Sequence, residues 1–280
     1  MSNATQYPSN SRVPWKVPEE KRIVLIDADG ILYAAASKGQ VLLDGVPVQL
    51  LDDEAIYQDT LERIEEQAAW AGDAGEVFIV LSARENFRYR ILPTYKGNRS
   101  GSDRPIALDR LRARILEEDH PGGFSTMLIE QLEADDVAGI AATTFQARGY
   151  ETVIISPDKD MLTIPGMLLT PKAGKVLFSE VTPERAATWH LYQTMVGDQT
   201  DHYKGIPGVG PKKADILLET FEDPADRWEA MVALAVEKGL TEEDLLVQAR
   251  VARILRAEDW DAVNKAPKLW QPARKKEKGE

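Results

Sequence analysis

Arg22-Ile-Val-Leu-Ile-Asp27 is the stretch on which the reading of this sequence turns. Its apolar residues, Ile23 to Ile26, follow one another without alternation. That pattern fits a short strand covered on both faces, as in the middle of a parallel sheet. The run stops at a carboxylate, Asp27. Val77-Phe-Ile-Val-Leu81 and Thr152-Val-Ile-Ile155 have the same character, and Thr126-Met-Leu-Ile129 predicts a shorter strand. Helical stretches separate them. One runs over residues 53–71, with Asp52 as N-cap and Gly72 as stop. A second covers Leu108 to Leu116, ending before His120-Pro121, and a third runs from Ala134 to Arg148, closed by Gly149. Strands alternating with helices predict an α/β fold with a mostly parallel central sheet flanked by helices. Sheets of this kind bind ligands beyond the carboxyl ends of their strands, where Asp27 and Asp158 both fall.

From about Trp189 onward the pattern turns mainly helical and is interrupted by Gly205-Ile-Pro-Gly-Val-Gly210, which predicts a smaller helical domain. The expected organisation is a flexible arm over 1–20, an α/β domain over 21–188, a helical domain over 189–270 and a charged tail over 271–280. No internal repeat is visible.

With 280 residues and 43% hydrophobic content, the chain can bury a large core plus a small appended one. It has no cysteine, which excludes disulfides, thiolate zinc sites and a thiol nucleophile. Its histidines, His120, His190 and His202, are too few and too scattered for a histidine-rich metal site. No apolar run reaches membrane-spanning length, and no secretory pattern opens the chain, so the expectation is a soluble, cytoplasmic protein. The formal charge of −12 argues against a nucleic-acid partner, but its distribution argues for one. Between Arg84 and Arg114 stand nine cations (Arg84, Arg88, Arg90, Lys96, Arg99, Arg104, Arg110, Arg112, Arg114) against three acids (Glu85, Asp103, Asp109), a local excess of six. A basic strip on an acidic chain is the footprint expected for a polyanion.

The acids cluster as well. Asp27, then Glu133, Asp135 and Asp136, then Asp158 and Asp160, then Asp198 and Asp201 are spread over 175 residues, each where an α/β fold would bring it to one shared edge. Eight converging carboxylates repel one another, so their convergence makes sense around divalent cations. Oxygen-only donors select magnesium or manganese. Each cluster also has a plainer account. Acids in the first turn of a helix, such as Glu133-Ala-Asp-Asp136, balance the helix dipole, although three within four residues exceed that need. Ser156-Pro-Asp-Lys-Asp160 ends a strand in a Pro-Asp turn, and Asp198 with Asp201 suits a solvated helix face. Asp29 reads as a turn residue or a support for Asp27. The Gly205–Gly210 turn followed by Lys212 and Lys213 has the look of a helix-hairpin-helix, exposing backbone amides to phosphate without reading bases. Tyr95-Lys-Gly-Asn-Arg99 combines a stacking ring with two cations, a grip for a frayed nucleotide.

Taken in order, the Asp27 strand, Asn86-Phe-Arg88 with Tyr95-Lys-Gly-Asn-Arg99, Glu133-Ala-Asp-Asp136, Ser156-Pro-Asp-Lys-Asp160, Gly197-Asp-Gln-Thr-Asp201 and Gly205-Ile-Pro-Gly-Val-Gly210 resemble the 5′-nuclease, or flap endonuclease-like, superfamily. Gly239-Leu-Thr-Glu-Glu-Asp244, Val251-Ala-Arg-Ile-Leu-Arg256 and Leu269-Trp-Gln-Pro272 are more narrowly similar to the 5′→3′ exonucleases of short-tailed podophages. The resemblance spans about residues 20–272. It implies a PIN-like α/β fold and a phosphodiesterase using two magnesium or manganese ions. Such an enzyme removes nucleotides from the 5′ ends of duplex DNA, acting also on flaps and on RNA primers in RNA–DNA hybrids, in the cytoplasm of a host cell. By the family pattern Asp27, Glu133, Asp135 and Asp136 hold or support one ion, and Asp158, Asp160, Asp198 and Asp201 surround the second. Lys96 and Arg99 act on the scissile phosphate. Arg88, Tyr95, Gly205, Gly208, Gly210, Lys212 and Lys213 contact the substrate, and a potassium ion at the glycine turn is a further expectation. One departure stands out: the family has an aspartate after the second strand, where this chain reads Leu81-Ser82-Ala83. That absence motivates the competing expectation of a DNA-end-binding protein with impaired catalysis.

Overall fold

The computed structural model describes residues 13–99, 104–117, 120, 123–172 and 175–275. In chain order its main elements begin β1 (Arg22–Asp27), α1 (Asp29–Lys38), β2 (Gln40–Leu43), β3 (Val46–Gln49), α2 (Asp53–Ala71), β4 (Glu76–Val80), α3 (Arg88–Ile91), α4 (Leu108–Glu117), β5 (Phe124–Met127) and α5 (Ala134–Ala147). They continue with β6 (Glu151–Ile155), β7 (Gly166–Lys172), β8 (Lys175–Val181), α6 (Pro183–Val196), α7 (Pro211–Thr220), α8 (Pro224–Glu237) and α9 (Glu242–Ala252). The chain divides into two units, one of Met1–Asn86, Gly101–Val181 and Leu255–Ala257, the other of Phe87–Ser100, Thr182–Ile254 and Glu258–Glu280.

The first unit is built on a six-stranded sheet of order β5-β4-β1-β6-β7-β8, parallel except for β8, which returns antiparallel to β7. The central strands are apolar on both faces because helices cover both. Val24, Ile26, Ile79, Val153 and Ile155 are fully buried. Each such side chain contributes roughly 1.5–3 kcal/mol of burial. From β1 the chain winds outward through β4 and β5, then crosses to β6 on the other side of β1. The order therefore reverses at β1 and β6, and Asp27 and Ser156 stand at that switch point, the place where such sheets bind ligands. Helix α2 starts as the sequence predicts: Asp52 accepts the Ala55 N–H at 2.8 Å, and Gly72, at φ 77°, ends it.

Three features of this unit differ from the sequence reading. The expected arm is not free from Val13 on, since Val13 is buried in the core and the Trp15 indole N–H donates to the Ala71 carbonyl at 2.9 Å. An unanticipated hairpin, β2–β3, turns at Asp44 and Gly45, both at positive φ, the Asp-Gly signal for a two-residue turn. The basic stretch 84–114 is not one element, because its 87–100 part belongs to the second unit.

The second unit packs α6–α9 around Met195, Ile206, Trp228, Met231 and Leu245, and Ile91 at the end of α3 packs in a smaller cluster with Tyr95, Tyr203 and Val251. It begins at Thr182, earlier than the expected residue 189, because Thr182 caps α6 by accepting the Arg185 N–H and Pro183 occupies the first turn. Of the expected tail, residues 276–280 lie outside the described residues, while Arg274 pairs with Glu242 and Lys275 with Asp226. No helix among the described residues is long and apolar enough to cross a membrane.

Candidate active site

At the carboxyl edge of the first unit's sheet, the Asp27 Oδ2 accepts a hydrogen bond from the Ser156 hydroxyl at 3.0 Å. That hydroxyl in turn accepts the Asp158 N–H at 3.1 Å, so one serine ties two predicted ligands together. Burial, followed by the neighbouring charges of Asp29 and Asp158, pushes Asp27 from 3.8 up to about 6, and the Ser156 hydrogen bond offsets only part of this. A divalent cation is what would reverse such a shift. Asp158 Oδ1 accepts the Asp160 N–H at 2.8 Å, and Asp160 lies 3.2 Å from the Lys159 ammonium.

Glu133 is the N-cap of α5 and shares a capping box with Asp136. Asp136 is fully buried; its Oδ2 accepts the Glu133 N–H at 3.3 Å and its Oδ1 the Leu255 N–H at 3.0 Å. It therefore fastens the start of α5, whereas Glu133 and Asp135, on the same first turn, are half-buried. Among the described residues no three acidic or histidine side chains stand together as a metal-holding group. Asp27, Asp158 and Asp136 accept hydrogen bonds from the Ser156 hydroxyl and from the amides of Asp160, Glu133 and Leu255. The donor set still suits a hard cation, being all oxygen. His120 and His190 are engaged elsewhere, with the Tyr57 hydroxyl at 3.1 Å and the Ala249 carbonyl at 2.7 Å.

Ser82, where the resemblance implies an acid, is held on every polar atom. Its hydroxyl accepts the Ala134 N–H at 2.9 Å, its N–H donates to Asp29 Oδ2 at 3.0 Å, and its carbonyl accepts from Arg112. Asp29 and Arg112, paired at 2.7 Å, thus matter more than their sequence neighbourhoods announce. Nor is the basic strip a bare positive surface in this unit. Arg110 pairs with Asp53 and Arg114 with Glu54, each at 2.7 Å, and Arg104 with Asp109 at 2.6 Å. Acids of α2 and α1, remote in sequence, meet the strip's charge.

In the second unit, Asp201 Oδ2 accepts the Tyr95 hydroxyl at 2.9 Å, and its Oδ1 lies 3.5 Å from the Lys96 ammonium. Asp198 Oδ1 accepts the N–H groups of Thr200 at 2.6 Å and Asp201 at 3.2 Å, organising the turn. Two expectations are corrected here. Tyr95 is only 3% exposed, so its ring is packed rather than offered for stacking. Arg88 is 2% exposed and donates to the carbonyls of Val251 at 2.9 Å and Arg253 at 2.7 Å, so its guanidinium is framework and not a substrate contact. The side chain of Arg99 lies outside the described residues.

The glycine turn has two distinct halves. Gly205, at φ 64°, lies against Gly197: a Cβ there would meet the Met195 carbonyl oxygen at 2.4 Å and the Gly197 nitrogen at 2.5 Å. Gly208, at φ 73°, and Gly210 face open space, and Lys212 and Lys213 are exposed at the start of α7, whose first turn no side chain caps. The Lys213 ammonium donates to the Gly208 carbonyl at 3.0 Å, which brings a cation onto the turn, and this uncrowded turn beside a helix N-terminus can receive an anion.

Comparisons agree with this picture. A family model described as the 5′-3′ exonuclease N-terminal resolvase-like domain matches residues 22–173. The exonuclease of Escherichia phage T7 is 29% identical over 91% of this chain and 95% of its own length. The exodeoxyribonuclease of Enterobacteria phage T3 is 28% identical over 91% and 94%. Among solved structures, the 5′-exonuclease of phage T5 with bound zinc superposes with a TM-score of 0.57 at 17% identity, over 82% of this chain and 93% of that one. A T5 flap endonuclease in a pseudo-enzyme-product complex with DNA and metal ions gives 0.59 at 16% identity, over 82% and 88%. These structures share the fold, an α/β unit with a mostly parallel sheet. A carboxylate-lined switch point, a match over more than half the chain and end-to-end similarity to phage exonucleases lead to one assignment: the chain belongs to the 5′-3′ exonuclease family and is a nuclease.

Proposed function

We propose that this chain is a metal-dependent 5′→3′ exonuclease that hydrolyses phosphodiester bonds at the 5′ ends of duplex DNA, with flaps and RNA–DNA hybrids as further substrates. The observation that carries the reading is Asp27: a carboxylate at the sheet's switch point, pushed up to about 6 by burial and by its acidic neighbours, is poised for a cation. The T5 relatives solved with zinc or with DNA and metal ions support it.

In this reading Asp27, Glu133 and Asp135, with Asp136 in support, hold one magnesium or manganese ion, and Asp158 and Asp160 supply ligands to a second. Bound there, the ions would activate a water and neutralise charge on the phosphate. Ser156 orients Asp27 and Asp158 together. Lys96, already beside an acid, brings positive charge to the scissile phosphate, and Arg99 joins it in that role. Gly208, Gly210, Lys212 and Lys213 take the duplex backbone without reading sequence, while Gly205 shapes the turn and a potassium ion completes it.

The test uses end-labelled duplexes with recessed, blunt and flapped 5′ ends and a matched RNA–DNA hybrid, incubated with magnesium and then with chelator. Magnesium-dependent release of short 5′ products, stopped by the chelator, is expected. A second reading, a DNA-end-binding protein with impaired catalysis, is favoured by Ser82 alone. It predicts salt-sensitive DNA binding with no turnover under any divalent ion, and that result would replace the first reading.

A further inference from the structure

We propose that Arg112 and Asp29 form a positioning pair that sets the metal-binding edge through Ser82. The inference rests on the nuclease reading above and adds two residues to its machinery. The Arg112 guanidinium, on α4, makes two contacts at once: with Asp29 Oδ1 at 2.7 Å and with the Ser82 carbonyl. The other oxygen of Asp29 takes the Ser82 N–H at 3.0 Å. Ser82 is thereby gripped on both backbone groups, and its rotor has one remaining duty, accepting the Ala134 N–H at 2.9 Å.

That amide belongs to the first turn of α5, where intrahelical partners are lacking. Glu133 and Asp135 flank it. Alongside, the Ala83 N–H donates to the Leu132 carbonyl at 2.7 Å, so residues 82–83 and 132–134 are zipped together. A chain of bonds thus runs from the end of β1, where Asp29 begins α1, to the acidic turn of α5. The planar fork of arginine suits this bridging, which a lysine ammonium cannot reproduce. Arg112 is only 15% exposed on its side chain, so it is not a general phosphate contact of the basic strip. Groups that orient metal ligands in this way typically matter by about 10–100-fold in metal affinity or activity.

The experiment compares the full chain with Arg112→Gln, Arg112→Lys, Asp29→Asn and the double variant Asp29→Asn/Arg112→Gln. Manganese binding is measured by calorimetry on folded protein, and the magnesium midpoint of hydrolysis on labelled duplex. Each single variant is expected to weaken manganese binding about tenfold and to raise the magnesium midpoint by a similar factor. The double variant should be no worse than the worse single one, because both act through the same bonds. Folded variants that bind manganese as tightly as the parent, or a double variant whose losses add, would overturn the pair. If Arg112→Gln does not fold, the near-isosteric Asp29→Asn decides by the same criterion. A parent chain with no magnesium-dependent turnover would instead sink the nuclease reading itself, which keeps the two failures apart.

Discussion

Asp27 in the first unit and Asp201 in the second are both partly withdrawn from water, and their surroundings are opposite in sign. Asp201 is met from within by the Tyr95 hydroxyl at 2.9 Å and the Lys96 ammonium at 3.5 Å. Asp27 receives a serine hydroxyl but faces Asp29 and Asp158, and it is pushed up to about 6. One carboxylate has its counter-charge built into the fold, whereas the other is placed where like charges accumulate. Folding alone would remove such an arrangement, since buried like charges cost stability. On the proposed reading, such a site gives up stability in return for ion binding.

Asp27→Asn gives the widest separation between the two. With Asp27 as a metal ligand, as proposed, its removal is expected to lower turnover by about 10³-fold or more, because bound ions supply several kcal/mol of transition-state stabilisation. The same change relieves repulsion, so in metal-free buffer the variant should melt higher, by about 2–4 °C for each ~1 kcal/mol regained. Activity assays beside thermal melts check both halves. A variant that loses activity and melts lower would mean that Asp27 is a structural acid like Asp201, and the contrast would vanish.

The next effect concerns the second unit's own framework. Arg88→Met leaves the carbonyls of Val251 and Arg253 buried without their charged donor. A loss of about 3 kcal/mol in urea unfolding is expected, as for other buried networks broken from one side. A near-neutral result would show that Arg88 is dispensable to packing and would reopen the substrate contact implied by resemblance. Lys96→Met is the direct counterpart of Asp27→Asn, since it withdraws a counter-charge instead of a repelling one. With both side chains mostly covered, 14% and 19% exposed, stability should fall by about 1–2 kcal/mol. Turnover should fall as well if Lys96 serves the phosphate. An unchanged urea midpoint would show that Asp201 does not depend on Lys96.

What the sequence made legible, and what it hid, follows the same division. The apolar run at Ile23–Ile26 and the cap at Asp52 are local signals, and they predicted β1 and α2 correctly because burial on both faces and capping leave their mark within a few residues. The α/β fold followed from their repetition. Tyr95 reads as an exposed contact because an aromatic ring beside cations usually is one, and Arg88 because the family resemblance implies it. Their burial depends on α9 and Asp201, more than 100 residues away. The strip's local excess of positive charge likewise overlooked Asp53, Glu54 and Asp29, which reach it only in the folded chain. The β2–β3 hairpin carries a readable Asp44-Gly45 turn signal, but its strands are only four residues each and mostly exposed, so no buried apolar run marks them. Ser82 stands in the sequence as a missing acid, yet nothing in one dimension shows that its N–H, carbonyl and hydroxyl are all engaged.

The smallest expected effect tests compensation at the surface, where solvent shares the burden. Arg110 grips Asp53 with Nε at 2.7 Å and Nη2 at 2.9 Å, and the Gln49 amide adds a third bond at 2.8 Å. The Arg110 hydrogen bonds and then Gln49 pull Asp53 from 3.8 down to about 2. A depressed carboxylate stabilises the folded state above its unfolded value, and the contribution fades as pH falls from 3.8 toward 2. Because both partners are about half exposed, 51% and 49%, screening limits it to a few tenths of a kcal/mol. The stability gap between the parent chain and Asp53→Asn, measured by urea unfolding, should therefore be small at pH 5 and close as the pH approaches 2. High salt should narrow it at pH 5 as well. A gap that stays constant across this range would mean that the pair holds α2 and α4 by packing and not by charge. Compensation by an internal partner would then belong to the interior acid, Asp201, and not to this surface pair.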